Sequence, residues 1–231
     1  MFNWNPQSLS MDRNKILYFL GYRPEKMKVN PKINNYIDEE LARALNLISP
    51  KGSFKILSVK LFKNIDMFED ASRIAFAIVT IGDKLESTAK ELLNKGEATR
   101  AAILDAVGSI SVETTASLLN EEIDNLAEGQ GYKTTRRFSP GSGDWSVEGQ
   151  EVIFKHLDKA CKELGVFLTS SKIMVPVKSI SFVVKLGTST MKEINKGCDS
   201  CNLKYNCPFY RNKHSGKDVE TEGVPLCSIH H

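Results

Sequence analysis

The chain has 231 residues, 41% of them hydrophobic, enough for one sizeable domain with room for a small appendage. Its 31 basic and 28 acidic residues leave a formal charge of +3 and are scattered along the sequence, so there is no basic block of the kind that holds nucleic acid. The N-terminus lacks the basic-then-apolar order of a secretory signal and no apolar run reaches about 18 residues, so neither secretion nor a membrane span is expected and the chain is read as cytoplasmic.

In chain order, Lys15 to Gly21 is apolar and ends in glycine, which suits a short helix packed on the main body. Ile37, Leu41, Leu45 and Ile48 fall at helical spacing, and Pro50 with Gly52 stops that run. Phe54 to Leu61 and Ile74 to Ile81 are rich in branched and aromatic residues, as strands of a sheet with one covered face would be. Asp83 with Glu86 three positions on has the form of a capping box, opening a helix that runs to about Asn94. A second helix is expected from Glu97 to Leu126, with Ile103, Val107 and Ile110 on one side, a point of bending at Gly108, and Gly129 and Gly131 closing it.

From Gly131 to Gly149 the sequence is rich in Gly, Ser, Thr and Arg and has no apolar periodicity, which reads as a loop of the kind that carries function. Val152 to Leu164 reads as one amphipathic helix capped by Gly165, with Cys161 in the core. Val166 to Thr169 and Lys178 to Leu186 read as further strands. Helices and strands mix without a regular strand-helix-strand rhythm, and no glycine-rich phosphate loop occurs. The expectation is therefore an α+β fold with a twisted, largely antiparallel sheet and packed helices over residues 1–190, followed by a cysteine-containing tail over 191–231.

That tail carries Cys198, Cys201, Cys207 and Cys227 in a stretch poor in apolar residues, which could hardly fold without a staple. The first two have a chelating spacing, and four thiolates suit tetrahedral zinc or an iron–sulfur cluster, with His214, His230 and His231 as further donors. Between the two metals the spacing does not choose. The alternative is a tail whose cysteines pair only on oxidation.

The segment Arg137-Phe138-Ser139-Pro140-Gly141-Ser142-Gly143-Asp144-Trp145 resembles the Arg-x-Ser/Ala-Pro-Gly-Tyr mark of the activation domain of cobalamin-dependent methionine synthase. The likeness extends in chain order through Phe19 to Tyr22, Asp105 to Ser109, Glu113 and Met174 to Ser179, and so spans most of residues 15–186. The resemblance implies a domain that binds S-adenosylmethionine and offers its methyl group to a corrinoid. That corrinoid would be carried by a partner, a corrinoid-binding protein or cobalamin-dependent methyltransferase, because no Asp-x-His-x-x-Gly segment occurs here. It also implies an electron donor such as flavodoxin or ferredoxin, and it makes Glu113 a ligand-contacting carboxylate.

The residue types suit that ligand in their own right. A guanidinium holds a carboxylate through paired hydrogen bonds, which makes Arg137 the candidate for the amino-acid end. Pro140 and Gly141 shape a turn that lets backbone approach closely, and Ser139 is small enough not to obstruct it. Glu113 would face the ligand's ammonium or sulfonium. Ser142 stands where the family has tyrosine, which removes a ring that Tyr132 or Trp145 would have to replace. Each residue also has an ordinary reading, as a solvated arginine, a surface glutamate and a common turn. Two other functions fit the same sequence: a non-catalytic module docking on a corrinoid protein, and an iron–sulfur redox carrier built on the tail.

Overall fold

The computed structural model describes residues 1–23, 27–62, 68–141 and 145–188. In order, the elements are β1 (Phe2–Asn3), α1 (Arg13–Phe19), α2 (Pro31–Ala44), β2 (Lys51–Ser58), β3 (Arg73–Thr80), α3 (Lys84–Asn94) and α4 (Ala98–Gly129). After these come β4 (Lys133–Thr134), α5 (Gly149–His156), α6 (Asp158–Leu164), β5 (Phe167–Leu168), β6 (Met174–Val175) and β7 (Ser179–Gly187). Five strands form one sheet in the order β1-β2-β3-β7-β4 with every pairing antiparallel, and β5 and β6 make a separate antiparallel pair. This is the expected α+β architecture.

Local chemistry sets the element ends. The Asp12 side chain accepts from the amides of Asn14 and Lys15 and so starts α1, and Asn30 caps α2 with Pro31 in its first turn. Helix α2 therefore begins six residues before its first apolar landmark, Ile37. Gly165 takes φ +69° and closes α6 as its sequence position suggested. The capping box at Asp83 does not form. That residue is itself in the right-handed helical region and makes no side-chain cap bond, while the Glu86 carboxylate accepts from the Val177 amide at 2.8 Å. A long-range partner thus takes the side chain that the local motif needed.

Alternation along the central strands builds two cores. Ala75, Ala77 and Val79 of β3 and Phe182, Val184 and Leu186 of β7 face the first, which α1 to α4 cover. Ile74, Phe76 and Ile78 with Val183 face the second, which holds Phe62, Phe68, Ile153 of α5, Leu157 at the break, and Cys161 and Leu164 of α6. Both faces of the sheet are therefore covered, against the expectation of one. The serines and lysine that alternate in β7 are buried polar residues: Ser181 bonds Gln150 at 2.5 Å, Ser179 bonds Thr80 at 2.9 Å, and Lys185 pairs with Asp70. Gly52, read as a helix stop, lies inside β2, where a Cβ would come within 2.9 Å of Val79 and 3.1 Å of Leu119. The helix expected over Val152 to Leu164 is two helices, broken at Leu157. Cys161 sits in the second core, and burial pushes its thiol up to about 11.

Helix α4 is 32 residues long and apolar enough by length and composition to cross a membrane. Here it is the core helix, with 72% of its most apolar window buried inside the protein. Arg100 bonds the fully buried Glu40 of α2 at 2.6 Å and Glu39 at 2.8 Å. Gly108 provides close approach: a Cβ there would stand 2.6 Å from Leu85 Cδ2 and 3.3 Å from Lys178 Cε.

Because Leu85 is itself fully buried and cannot step aside, Gly108→Ala should lower stability by about 1–3 kcal/mol even though alanine is the better helix former. A lower urea midpoint at unchanged slope would record it. His156, edge-on to Phe62 and tilted against Phe76, has its pKa lowered below the ordinary 6.5 by burial first and then by Lys155 and Lys55. The unfolded chain then binds that proton more readily, so this contribution is complete above about pH 6.5 and declines as pH falls toward the folded value. The melting temperature of His156→Gln should fall less between pH 7.5 and 5.5, roughly one unit either side of 6.5, than that of the parent chain.

Candidate functional site

The loop after α4 joins the sheet edge. Lys133 and Thr134 pair with Gly187 and Leu186, Thr135 donates its amide to the Lys185 carbonyl at 3.1 Å, and Phe138 exchanges both backbone bonds with Val183. From Thr134 to Phe138 this edge advances four residues while β7 advances three, from Leu186 to Val183. Arg136 and Arg137 therefore stand together opposite the single residue Val184, as in a β-bulge. In an unbroken register Arg137 would face the second core. The extra residue turns it to the α4 side, where its guanidinium lies 5.3 Å from the centre of the Phe182 ring.

There Arg137 meets Glu113. Nη2 of the guanidinium donates to Glu113 Oε1 in a close ion pair whose side chains are only 8% and 5% exposed. Two of the residues singled out in the sequence, 24 apart along the chain, are thus in contact. Each keeps one buried atom without a protein partner, Arg137 Nη1 and Glu113 Oε2. A free donor and a free acceptor on one buried pair are what an incoming group bearing both a carboxylate and an ammonium would satisfy.

Ser139, Pro140 and Gly141 follow directly after the bridging residue Phe138. Pro140 is buried, and Gly141 takes φ +86°, a conformation that favours glycine, while donating its amide to the Trp145 carbonyl at 2.7 Å. Ser142 lies outside the described residues. Of the two rings considered as replacements for the missing tyrosine, Trp145 belongs to the second core, 6.0 Å from Phe68 and against Gly149. Tyr132 packs at the C-terminal end of α4 beneath Arg73, 5.8 Å away. Cys198, Cys201, Cys207 and Cys227 also lie outside the described residues, and among the described residues no group of three or more His, Cys, Asp or Glu could hold a metal.

Sequence reading missed a second charged cluster on the same helix. Lys178, immediately before β7, reaches α4 and bonds Ser109 Oγ at 2.9 Å and Asp105 Oδ1 at 2.8 Å. One signal was available: Asp105, Ser109 and Glu113 recur every fourth residue along the helix, and so share a face.

No family model and no curated protein matches the chain. Among solved structures, the crystal structure of the MetH reactivation domain bound to AdoHcy has a similar fold, with a TM-score of 0.60 over 83% of this chain and 79% of that one. Sequence identity is 13%, so the likeness is one of fold.

Removing one member of a buried pair strands the other charge, so Arg137→Ala and Glu113→Ala should each destabilise by about 3–5 kcal/mol. Arg137→Met combined with Glu113→Leu should cost far less than the sum of the two single changes. Denaturant titration of the four proteins reads this directly.

Proposed function

We propose that the chain binds S-adenosylmethionine through Arg137 and Glu113 and supports remethylation of a corrinoid carried by a partner protein. The observation that carries the reading is the buried Arg137–Glu113 pair, with its one unpaired donor and one unpaired acceptor. Arg137 Nη1 would take the ligand's carboxylate and Glu113 Oε2 its ammonium, while the existing bond between the two side chains keeps both oriented. The Gly141 turn would bring backbone to the ligand. The fold shared with a MetH reactivation domain, whose structure holds AdoHcy, supports the same ligand class, and the corrinoid-bearing partner is what the sequence resemblance implies.

S-adenosylmethionine supplies a sulfonium methyl for a reduced corrinoid cobalt on the partner, leaving S-adenosylhomocysteine, with one electron for the cobalt drawn from a donor such as flavodoxin or ferredoxin. The cobalt is the nucleophile, so this chain needs no catalytic base. Its residues hold and align the ligand, and alignment is the principal catalytic contribution open to them.

Calorimetric titration of the full chain with S-adenosylhomocysteine should show saturable binding. Arg137→Lys, which keeps the charge and loses the planar fork, should bind at least about tenfold more weakly, a loss of about 1.4 kcal/mol, while still melting cooperatively. Absence of binding by the parent chain would overturn the reading.

A further inference from the structure

Asp105, Ser109 and Glu113 lie on one side of α4, and eight residues of helix set the first and last about 12 Å apart at about 1.5 Å per residue. Ile180 and Phe182 of β7 both pack in the first core, which α4 also lines, and the residue entering the strand is Lys178. Two ion pairs therefore stand along one strip of the molecule, Glu113 with Arg137 and Asp105 with Lys178.

The two pairs differ in what they leave open. At the first, both side chains are buried and each lacks one partner. At the second, the Lys178 side chain is 10% exposed and its ammonium spends two of three donors, on Asp105 and Ser109. Asp105 is 58% exposed, so its carboxylate is held by a buried cation yet presented outward with acceptor capacity to spare. Gly108 gives the Lys178 stem its passage, since a Cβ there would crowd Cε at 3.3 Å. The cluster holds a carboxylate in a fixed orientation at the surface.

We propose that Asp105, held by Lys178 and Ser109, is the nucleoside end of the ligand site and accepts the hydroxyls of a ribose cis-diol. This rests on reading Arg137 and Glu113 as the amino-acid end. Two neighbouring hydroxyls can donate to one carboxylate, and acidic side chains hold ribose in this way in dinucleotide sites. An extended S-adenosyl amino acid separates its carboxylate from its ribose hydroxyls by roughly 10 Å at about 1.5 Å per bond, comparable to the spacing of the two ion pairs. Lys178 and Ser109 are positioning residues, whose part is to fix the carboxylate before the ligand arrives.

The test is calorimetry on the full chain with S-adenosylhomocysteine and its 2′-deoxyadenosyl analogue. The parent chain should prefer the ribose ligand about tenfold or more, a difference of about 1.4 kcal/mol. Asp105→Ala, checked for cooperative melting because it leaves the Lys178 ammonium with Ser109 alone, should lose that preference by weakening only the ribose ligand, and Lys178→Met, which keeps the aliphatic stem over Gly108, should lose part of it. Equal weakening of both ligands in Asp105→Ala, or none, overturns the ribose assignment and leaves the Arg137–Glu113 reading intact. Failure of the parent chain to bind either ligand overturns both.

Discussion

Helix α4 can pack between the sheet and helices α1 to α3 only if every charge it carries into that space finds a protein partner, because a buried ion without one costs several kcal/mol. Arg100 and Glu113 are those charges, and together with the exposed Asp105 they draw three different segments inward: α2 through Glu40, the bulged sheet edge through Arg137, and the entry to β7 through Lys178. Much of the tertiary arrangement around α4 follows from this. The apolar residues say that the helix is buried, and its charges say which neighbours stand where.

The pair at Glu113 depends on a backbone irregularity as well as on charge. Without the extra residue between Thr134 and Phe138, Arg137 would project into Phe76, Ile78 and their neighbours, where a guanidinium has no counter-ion comparable to Glu113. The bulge places it over Phe182, whose ring face favours a cation, and opposite a carboxylate. Sheet edges and bulges are common settings for re-aimed side chains because pairing there is already incomplete. Here the edge strand β4 has only two residues, so the local loss of ladder bonds is small.

The sequence exposed the architecture more clearly than the site's geometry. Periodicity located α2, α4 and β7 because long apolar elements leave a regular imprint, composition located α1 and β3, and the end at Gly165 carried a local signal. Where reading and structure part, a distant contact is the reason. Glu86 serves Val177 instead of a capping box, Leu157 interrupts a pattern that looks continuous, and Gly52 is a strand residue because Val79 and Leu119 occupy the space of its missing side chain. Residue type and spacing suggested Arg137 and Glu113. Nothing local announced the bulge that joins them, and the Lys178 cluster was visible only as a four-residue recurrence whose meaning depends on what lies opposite.

The two unpaired atoms at the centre of this arrangement deserve a physical explanation, since a buried donor or acceptor left unmade costs about 1–3 kcal/mol. A chain optimised for stability alone could replace Arg137 and Glu113 by apolar residues of similar volume and lose little or even gain. Retaining the pair, with one donor and one acceptor unsatisfied, holds the fold short of that optimum. Glu40, Asn120, Asp124 and Arg136 also keep a buried atom without a hydrogen-bond partner, but among the described residues only Arg137 and Glu113 leave a free donor and a free acceptor on one ion pair. Fold and chemistry diverge most at such places in a protein that must receive a polar ligand, because the bonds missing from the free protein are the ones the ligand supplies. Under the proposed function, the stabilisation given up at this pair would be recovered as affinity for a group that offers a carboxylate and an ammonium together.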